Sequence, residues 1–378
     1  MSREMRVGII GLGYIGRVHA LCYRNIPLCY GSPPVHARLS ALLRSRVDTQ
    51  TDTVKELGFD LVTTDPDEFF SQPLDLVDIC SPNHLHATQA RRALDAGMAV
   101  YCEKPLAANL EDARALASLA EEQHAITQVA YAMRFTPAVR QIKALCQSGD
   151  LGEVLHFRGY MHHSGYLDEA RPMSWRLRRS ESGGGAMMDL GAHLVDLTRY
   201  LLGEVATVRA EMRTFVCQRC TSAGGAAMER VDVDDFALVT LELLNGAVGV
   251  LEVTRVAAGA SEATGFEIYG RKGSAHFQTA QPEQARFYLS GKKQWVSGYP
   301  NMPAVAGERP IESLWPSSKF SQGYFTNHHM AEAMDVLLNV AERRQSLVDF
   351  CSAARDQEVV EAAYHSAADG GRRVLITH

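Results

Sequence analysis

The chain lacks any uninterrupted apolar run of the ~20 residues that a membrane span needs, so no membrane role is expected. It also lacks a basic excess: 38 Lys plus Arg stand against 44 Asp plus Glu, for a formal charge of −6. A mildly acidic surface repels a polyphosphate strand, which argues against a nucleic-acid partner. Cysteine is sparse, eight residues in 378 without the dense spacing of a secreted disulfide scaffold, and a reducing, cytoplasmic compartment is expected. Cys217 and Cys220 form one CxxC pair, but no second pair completes four zinc ligands, so the pair reads as a strand end. The N-terminus has Glu4 ahead of a short apolar run and no small-residue cleavage site, hence no expected signal peptide. Repeats and low-complexity tracts are also missing.

With 46% hydrophobic and 22% charged residues, the chain has the balance of a globular protein large enough for two domains. Up to about residue 130, short apolar runs (Met5 to Ile10, Leu39 to Leu43, Leu74 to Cys80, Ala99 to Cys102) alternate with helical patterns at His84 to Ala96 and Asn109 to His124. Such alternation predicts a doubly wound parallel sheet. Beyond residue 150, Glu153 to His162, Ala206 to Val216, Phe236 to Leu244 and Ala247 to Val256 read as strands, the last two joined by the turn Asn245-Gly246. That rhythm predicts a mostly antiparallel sheet. Gln281 to Phe325 reads as irregular connection, and His328 to Arg343 and Cys351 to Ala368 as closing helices. The expected division is 1–131 and 132–378, with the helices of 328–368 free to pack back on the first domain.

The strand Met5 to Ile10 runs into Gly11-Leu12-Gly13-Tyr14-Ile15-Gly16 and then a helical stretch. In that context GxGxxG is a dinucleotide loop: Gly11 permits the turn, Gly13 admits a pyrophosphate, and Gly16 lets helix and strand pack closely. An NAD site usually has a carboxylate at the end of the second strand, yet none lies between Glu4 and Asp48. Arg44-Ser45-Arg46 stands there instead, favouring a 2′-phosphate, so NADP is expected ahead of NAD.

Three further stretches resemble the Gfo/Idh/MocA family of NAD(P)-dependent oxidoreductases across nearly the whole chain. They are Ser81-Pro82-Asn83-His84-Leu85-His86, the EKP motif in Tyr101-Cys102-Glu103-Lys104-Pro105-Leu106, and the DxGxH segment in Gly183 to His193. The resemblance implies an N-terminal Rossmann domain and a C-terminal α/β domain with a large, open, mostly antiparallel sheet through which members often assemble as dimers or tetramers. It places Ser81, Asn83, His86 and Glu103 along the cofactor, Lys104 at the junction of nicotinamide and substrate, and Arg134 near the nicotinamide. It also implies a cis bond before Pro105.

Read on an α-helix, Asp189, His193 and Asp196 fall on one stripe while Met187, Leu190, Leu194, Leu197 and Leu201 cover another. A metal shared by Asp189 and His193 has no further ligands in the sequence, and none is expected. His193 has the intrinsic pKa of a general base, and Asp189 is placed to orient its ring. With Lys104 supplying positive charge to a developing alkoxide, these three form the expected catalytic group. Substrate contacts are expected from Tyr160, His162, Tyr166, Trp175 and Arg176, which suit a polyhydroxylated ring. His163, His328 and His329 receive no role. The expected activity is oxidation of a secondary alcohol of a sugar or cyclitol. The alternatives are a dihydrodiol or biliverdin-type reductase of the same family, and a cofactor-binding regulator without turnover.

Overall fold

A computed structural model describes residues 2–46, 51–291, 293–298 and 305–377. The chain divides into two compact units, Met1–Phe135 with Glu308–Ala354, and Thr136–Gly307 with Arg355–His378.

In the first unit, β1 (Arg3–Ile10) leads through α1 (Tyr14–Cys29) to β2 (Val35–Leu43), α2 (Thr51–Leu57) and β3 (Leu61–Thr63). Next come α3 (Pro66–Phe70), β4 (Leu76–Ile79), α4 (Asn83–Asp95), β5 (Ala99–Cys102), α5 (Leu110–Glu122) and β6 (Thr127–Val129). All six strands are parallel, in the order β3-β2-β1-β4-β5-β6. The order reverses between β1 and β4, which opens a crevice at their carboxyl ends, where doubly wound sheets bind ligands. The apolar runs follow from burial on both faces: Val7, Ile9, Leu42, Leu76, Val77, Ile79 and Val100 are fully enclosed. On α1 the buried face is Gly16, His19, Ala20, Tyr23 and Ile26, at helical spacing. This helix runs through Pro27 to Cys29, farther than the sequence pattern indicates. A proline this close to a helix end removes only one internal bond.

The second unit starts with α6 (Pro137–Ser148), β7 (Val154–His162), α7 (Arg179–Ser182) and α8 (Ala192–Leu202). It continues with β8 (Val205–Arg213), β9 (Gln218–Cys220), β10 (Met228–Arg230), β11 (Phe236–Leu243), β12 (Val248–Thr254), β13 (Ala263–Gly270), β14 (Gly273–Gln278), β15 (Arg286–Leu289) and β16 (Gln294–Ser297). A nine-stranded sheet has the order β16-β15-β14-β13-β7-β12-β11-β8-β17, where β17 is Val374–Leu375. Within it only β7 and β12 pair in parallel. One face buries Phe157, Val239, Leu251, Val253, Phe266 and Ile268 under α6 and α8, and the other leaves Leu238, Val248, Val250 and Trp295 exposed. β15 and β16 lie in the stretch expected to be irregular. At four residues each they are too short to show periodicity, and pairing of β15 with β14 and of β16 with β15, plus burial of Phe287, fixes them.

Of the later helices, α9 (Ile311–Leu314) and α10 (Tyr324–Glu342) belong to the first unit, and α10 packs on α1 and β2. α11 (Phe350–Ala368) begins in the first unit and ends in the second. No helix among the described residues is long and apolar enough to cross a membrane.

Candidate active site

The glycine loop has the shape its spacing demands. Gly11 has φ +91°, and a Cβ there would stand 2.9 Å from the Cys80 carbonyl oxygen, while at Gly16 it would stand 2.1 Å from that of Gly11. At Gly13 a Cβ would meet nothing within 4 Å. Gly11 and Gly16 are thus required by the protein itself, and Gly13 faces open space at the start of α1, where a helix offers N–H groups to an anion. These features fit a dinucleotide pyrophosphate. The Gly11 N–H donates to Leu43 O at 2.8 Å, bringing the end of β2 beside the turn. Arg44 donates its backbone N–H to Thr63 O at 3.1 Å, and Ser45 and Arg46 are exposed. Asp48 lies outside the described residues.

At the end of β4, Ser81 Oγ donates to Gln89 Oε1 at 2.6 Å. His86 is fully buried, each ring nitrogen 2.9 Å from a carbonyl, those of Pro105 and Ser81. Burial lowers its pKa against the pull of both carbonyls. The neutral ring donates its one N–H to one of the two carbonyls, and neither nitrogen is turned to a ligand. Asn83 is buried at the first turn of α4. The Lys104-Pro105 bond is cis, as the resemblance implies. Glu103 accepts the Lys104 N–H at 3.1 Å and lies 3.2 Å from the Nε2 of His19. Arg134 is buried, donating to Leu347 O at 3.1 Å and Ser352 Oγ at 3.4 Å.

In the second unit, residues 187–191 form a π-turn that runs into α8. A β-carbon on Gly191 would stand 2.5 Å from Met187 Sδ. The regular α-helical stripe expected for Asp189, His193 and Asp196 is thereby corrected, since i→i+5 winding replaces the 100° step between the first two. Asp189 accepts from Arg255 Nη2 at 3.1 Å, His193 is partly exposed, and Asp196 is buried. Arg255 is enclosed and stacks over the Tyr166 ring at 4.8 Å. Tyr166 also takes Arg171 at 4.1 Å and packs with Met173, Leu177, Val231 and Val233, so it reaches Asp189 through Arg255. Trp175 and Arg176 stack on each other at 4.2 Å, both half-buried.

Tyr160 and His162 require a correction. The alternation of β7 buries Phe157 and Gly159 and turns Arg158, Tyr160 and His162 to the open face, opposite the one that α8 covers. There they line a shallow recess with Leu238, Val250 and Glu252, and His162 Nε2 sits 3.0 Å from Glu252 Oε1. A two-residue period shows that they share a face but not which one is covered.

Sequence reasoning missed the groups that shape this site. Asp234 accepts from Gly185 N at 2.9 Å and Met187 N at 2.7 Å, and Tyr364 Oη donates to it at 2.7 Å. A β-carbon at Gly184 would strike Tyr364, and at Gly185 it would strike Asp234. The glycine run is therefore a cradle for a carboxylate and a phenol that start the helix bearing Asp189 and His193. The acidic run Asp232 to Asp235 was a readable signal for it. Nothing marked Tyr364 or Arg255.

The comparisons with known proteins agree with this geometry. Residues 5–131 match the model of the oxidoreductase family with an NAD-binding Rossmann fold, and residues 139–276 match the Gfo/Idh/MocA C-terminal domain. Levoglucosan dehydrogenase of Pseudarthrobacter phenanthrenivorans is 30% identical over 96% of either chain. The scyllo-inositol 2-dehydrogenase (NAD+) of Bacillus subtilis is 28% identical over 77% of this chain and 79% of its own. A solved levoglucosan dehydrogenase in complex with NADH and L-sorbose superposes with a TM-score of 0.91, at 30% identity and full coverage of both chains. With matching domain models in series and a relative aligned end to end, the chain belongs to the Gfo/Idh/MocA family of oxidoreductases and binds NAD(H) in its Rossmann unit.

Proposed function

We propose that the protein is a dehydrogenase that oxidises a secondary hydroxyl of a sugar or cyclitol, with Lys104, Asp189 and His193 as its catalytic residues. The observation that carries the reading is the open space at Gly13 together with Lys104 set at the cis Lys104-Pro105 bond, just past the carboxyl end of β5. Relatives named for levoglucosan, inositol and D-glucoside support the substrate class. When bound, the nicotinamide supplies a hydride acceptor at C4. His193 takes the hydroxyl proton at a ring nitrogen. Asp189, held by Arg255, sets the field around that imidazole, and Lys104 places an ammonium where alkoxide charge grows. Trp175 and Arg176 contact the substrate, and Tyr166 acts through Arg255. Lys104→Met and His193→Ala should each cut kcat by at least a hundredfold with cofactor affinity nearly unchanged, and full turnover in either would remove that residue from the mechanism.

The reading extends to cofactor choice and assembly. Ser45 and Arg46 are exposed beside the glycine turn, so NADP is accepted through them and Arg44 and is preferred. Arg46→Ala should lower the NADP-to-NAD ratio of kcat/KM, and an unchanged ratio refutes this. The open sheet face, with Leu238, Val248 and Val250 exposed, is covered by a second copy of the chain, which light scattering tests directly. None of the eight cysteines is joined in a disulfide, which suits a reducing cytoplasm.

A further inference from the structure

We propose that the β9–β10 hairpin is a specificity-determining frame for the substrate, with Arg219 and Glu229 as positioning residues that fix the segment carrying Trp175 and Arg176. The inference rests on the substrate role given to those two residues, and the tests below separate the two. All the groups involved lie in the second unit. β9 pairs antiparallel with β10, and from Cys217 to Arg230 the one enclosed side chain is Arg219, 0% exposed. Packing alone would put an apolar residue at that inward position. The guanidinium instead reaches three main-chain carbonyls of a single loop: Nη1 donates to Asp168 O at 2.6 Å and Arg171 O at 3.3 Å, and Nη2 donates to Tyr166 O. Among the described residues no carboxylate pairs with it. Arginine and loop are therefore locked to each other, because separating them strands a charge and three carbonyls in the interior.

The hairpin grips the segment on both sides of Trp175. Ahead of it, the Cys220 carbonyl accepts the Met173 N–H at 2.8 Å, and Cys220 Sγ donates to Ala170 O at 3.5 Å. The second member of the CxxC pair is thus an anchor for the loop. Beyond Trp175, Glu229 on β10 takes Arg178 in a two-pronged ion pair, Nε to Oε1 at 2.6 Å and Nη2 to Oε2 at 2.8 Å. Between these anchors, Met173 and Leu177 share an apolar cluster with Tyr166, Val231 and Val233. What the frame presents is a planar cation on an indole face: Arg176 stacks on Trp175 at 4.2 Å, half-buried, and no described residue accepts from its guanidinium. Such a fork suits adjacent hydroxyls of a sugar or cyclitol, while the indole suits the apolar face of the ring. Held at both ends, the pair needs no ordering when substrate arrives, and loss of an anchor weakens binding before it touches the chemical step.

In the wild-type protein the amides of Tyr166, Arg171 and Met173, which donate to Arg255 O, Asp168 O and Cys220 O, should exchange hydrogen as slowly as those of Thr221 and Val231 in the hairpin, because frame and segment open together. Free exchange at 166–173 beside a protected hairpin overturns the frame. Arg219→Lys keeps the charge but not the three-way fork, so exchange at 166–173 should quicken and KM for the polyol should rise about tenfold, with kcat within about threefold and NAD(H) affinity unchanged. An unchanged KM, or a loss confined to kcat, refutes the positioning role. Because Arg219 acts through Arg176, the same substitution in an Arg176→Ala background should raise KM by less than about threefold, and independent, additive rises refute that route. Glu229→Gln, at a half-exposed site, should raise KM several-fold in the same way and decides the matter if Arg219→Lys does not fold, an unchanged KM there counting against the frame. If the wild type turns over no polyol, the dehydrogenase reading fails by itself, while the exchange rates still judge the frame.

Discussion

Tyr364→Phe should loosen the start of the helix that carries Asp189 and His193 without disturbing the packing around it. The lost hydroxyl donates to Asp234 at 2.7 Å and accepts from Gly185 N at 3.0 Å and Met188 N at 3.2 Å. Gly185 keeps Asp234 as an acceptor at 2.9 Å, so the net loss is one bond to a carboxylate and the Met188 acceptor. A hydrogen bond to a charged group contributes about 1.5–3 kcal/mol and a deprived buried amide costs about 1–3 kcal/mol, which together give about 3 kcal/mol or more. The phenyl ring retains its contacts, so no cavity cost is added. For a unit of this size the change corresponds to a Tm lower by about 6–12 °C. Urea unfolding and hydrogen exchange at residues 185–188 measure it, and kcat should fall along with the protection of those amides. A stability within about 0.5 kcal/mol of wild type, with unchanged exchange, would refute the view that this phenol and Asp234 organise the glycine run.

Three further outcomes follow. Gly13→Ala should fold normally but bind NAD(H) at least tenfold more weakly, because its Cβ enters space that the protein leaves open, while Gly16→Ala should fail to fold stably, its Cβ falling 2.1 Å from Gly11 O. Binding titrations beside thermal unfolding separate the two, and equal behaviour contradicts the assignment of the loop. Buried His19 and Glu103, 3.2 Å apart, set a pH window: Glu103 is depressed from 4.5, so its stabilisation is present above that value and fades as pH falls toward about 2. His19 is raised from 6.5, so its share is complete below that value and is lost as pH climbs through its folded pKa. Tyr23, Asp78, Cys80, Tyr101, Lys104, His329 and Glu332 surround the pair and shape the profile. Urea midpoints between pH 3 and pH 9 should show an alkaline decline that His19→Gln removes, and parallel profiles would exclude His19 as its source.

Some of this was readable in the sequence because its signals are local. GxGxxG lies on consecutive backbone, and the runs Val7–Ile10 of β1 and Ala99–Cys102 of β5 are continuous because both faces are covered, with Asp78 the one break in β4. Asn109 stands as the cap of α5, its side chain accepting from Asp112 N at 2.8 Å. What escaped reading depends on partners distant in the chain. Asp234 and Tyr364 meet Gly185 from 49 and 179 residues away, and His19 meets Asp78 from 59. The π-turn at 187–191 breaks a period that can only be assumed regular beforehand. For Tyr160 and His162 the period was right and the face wrong, because which side of a sheet receives a helix is a tertiary fact.

The most direct test of the central claim is to mix the purified protein with NAD or NADP and a panel of anhydrosugars, pyranosides and inositols, and to follow the near-ultraviolet absorbance of the reduced nicotinamide. A rise with at least one polyol, lost in His193→Ala while that variant still binds cofactor, is the expected result. No reduction with any member of the panel by a protein that binds the cofactor would contradict the dehydrogenase reading.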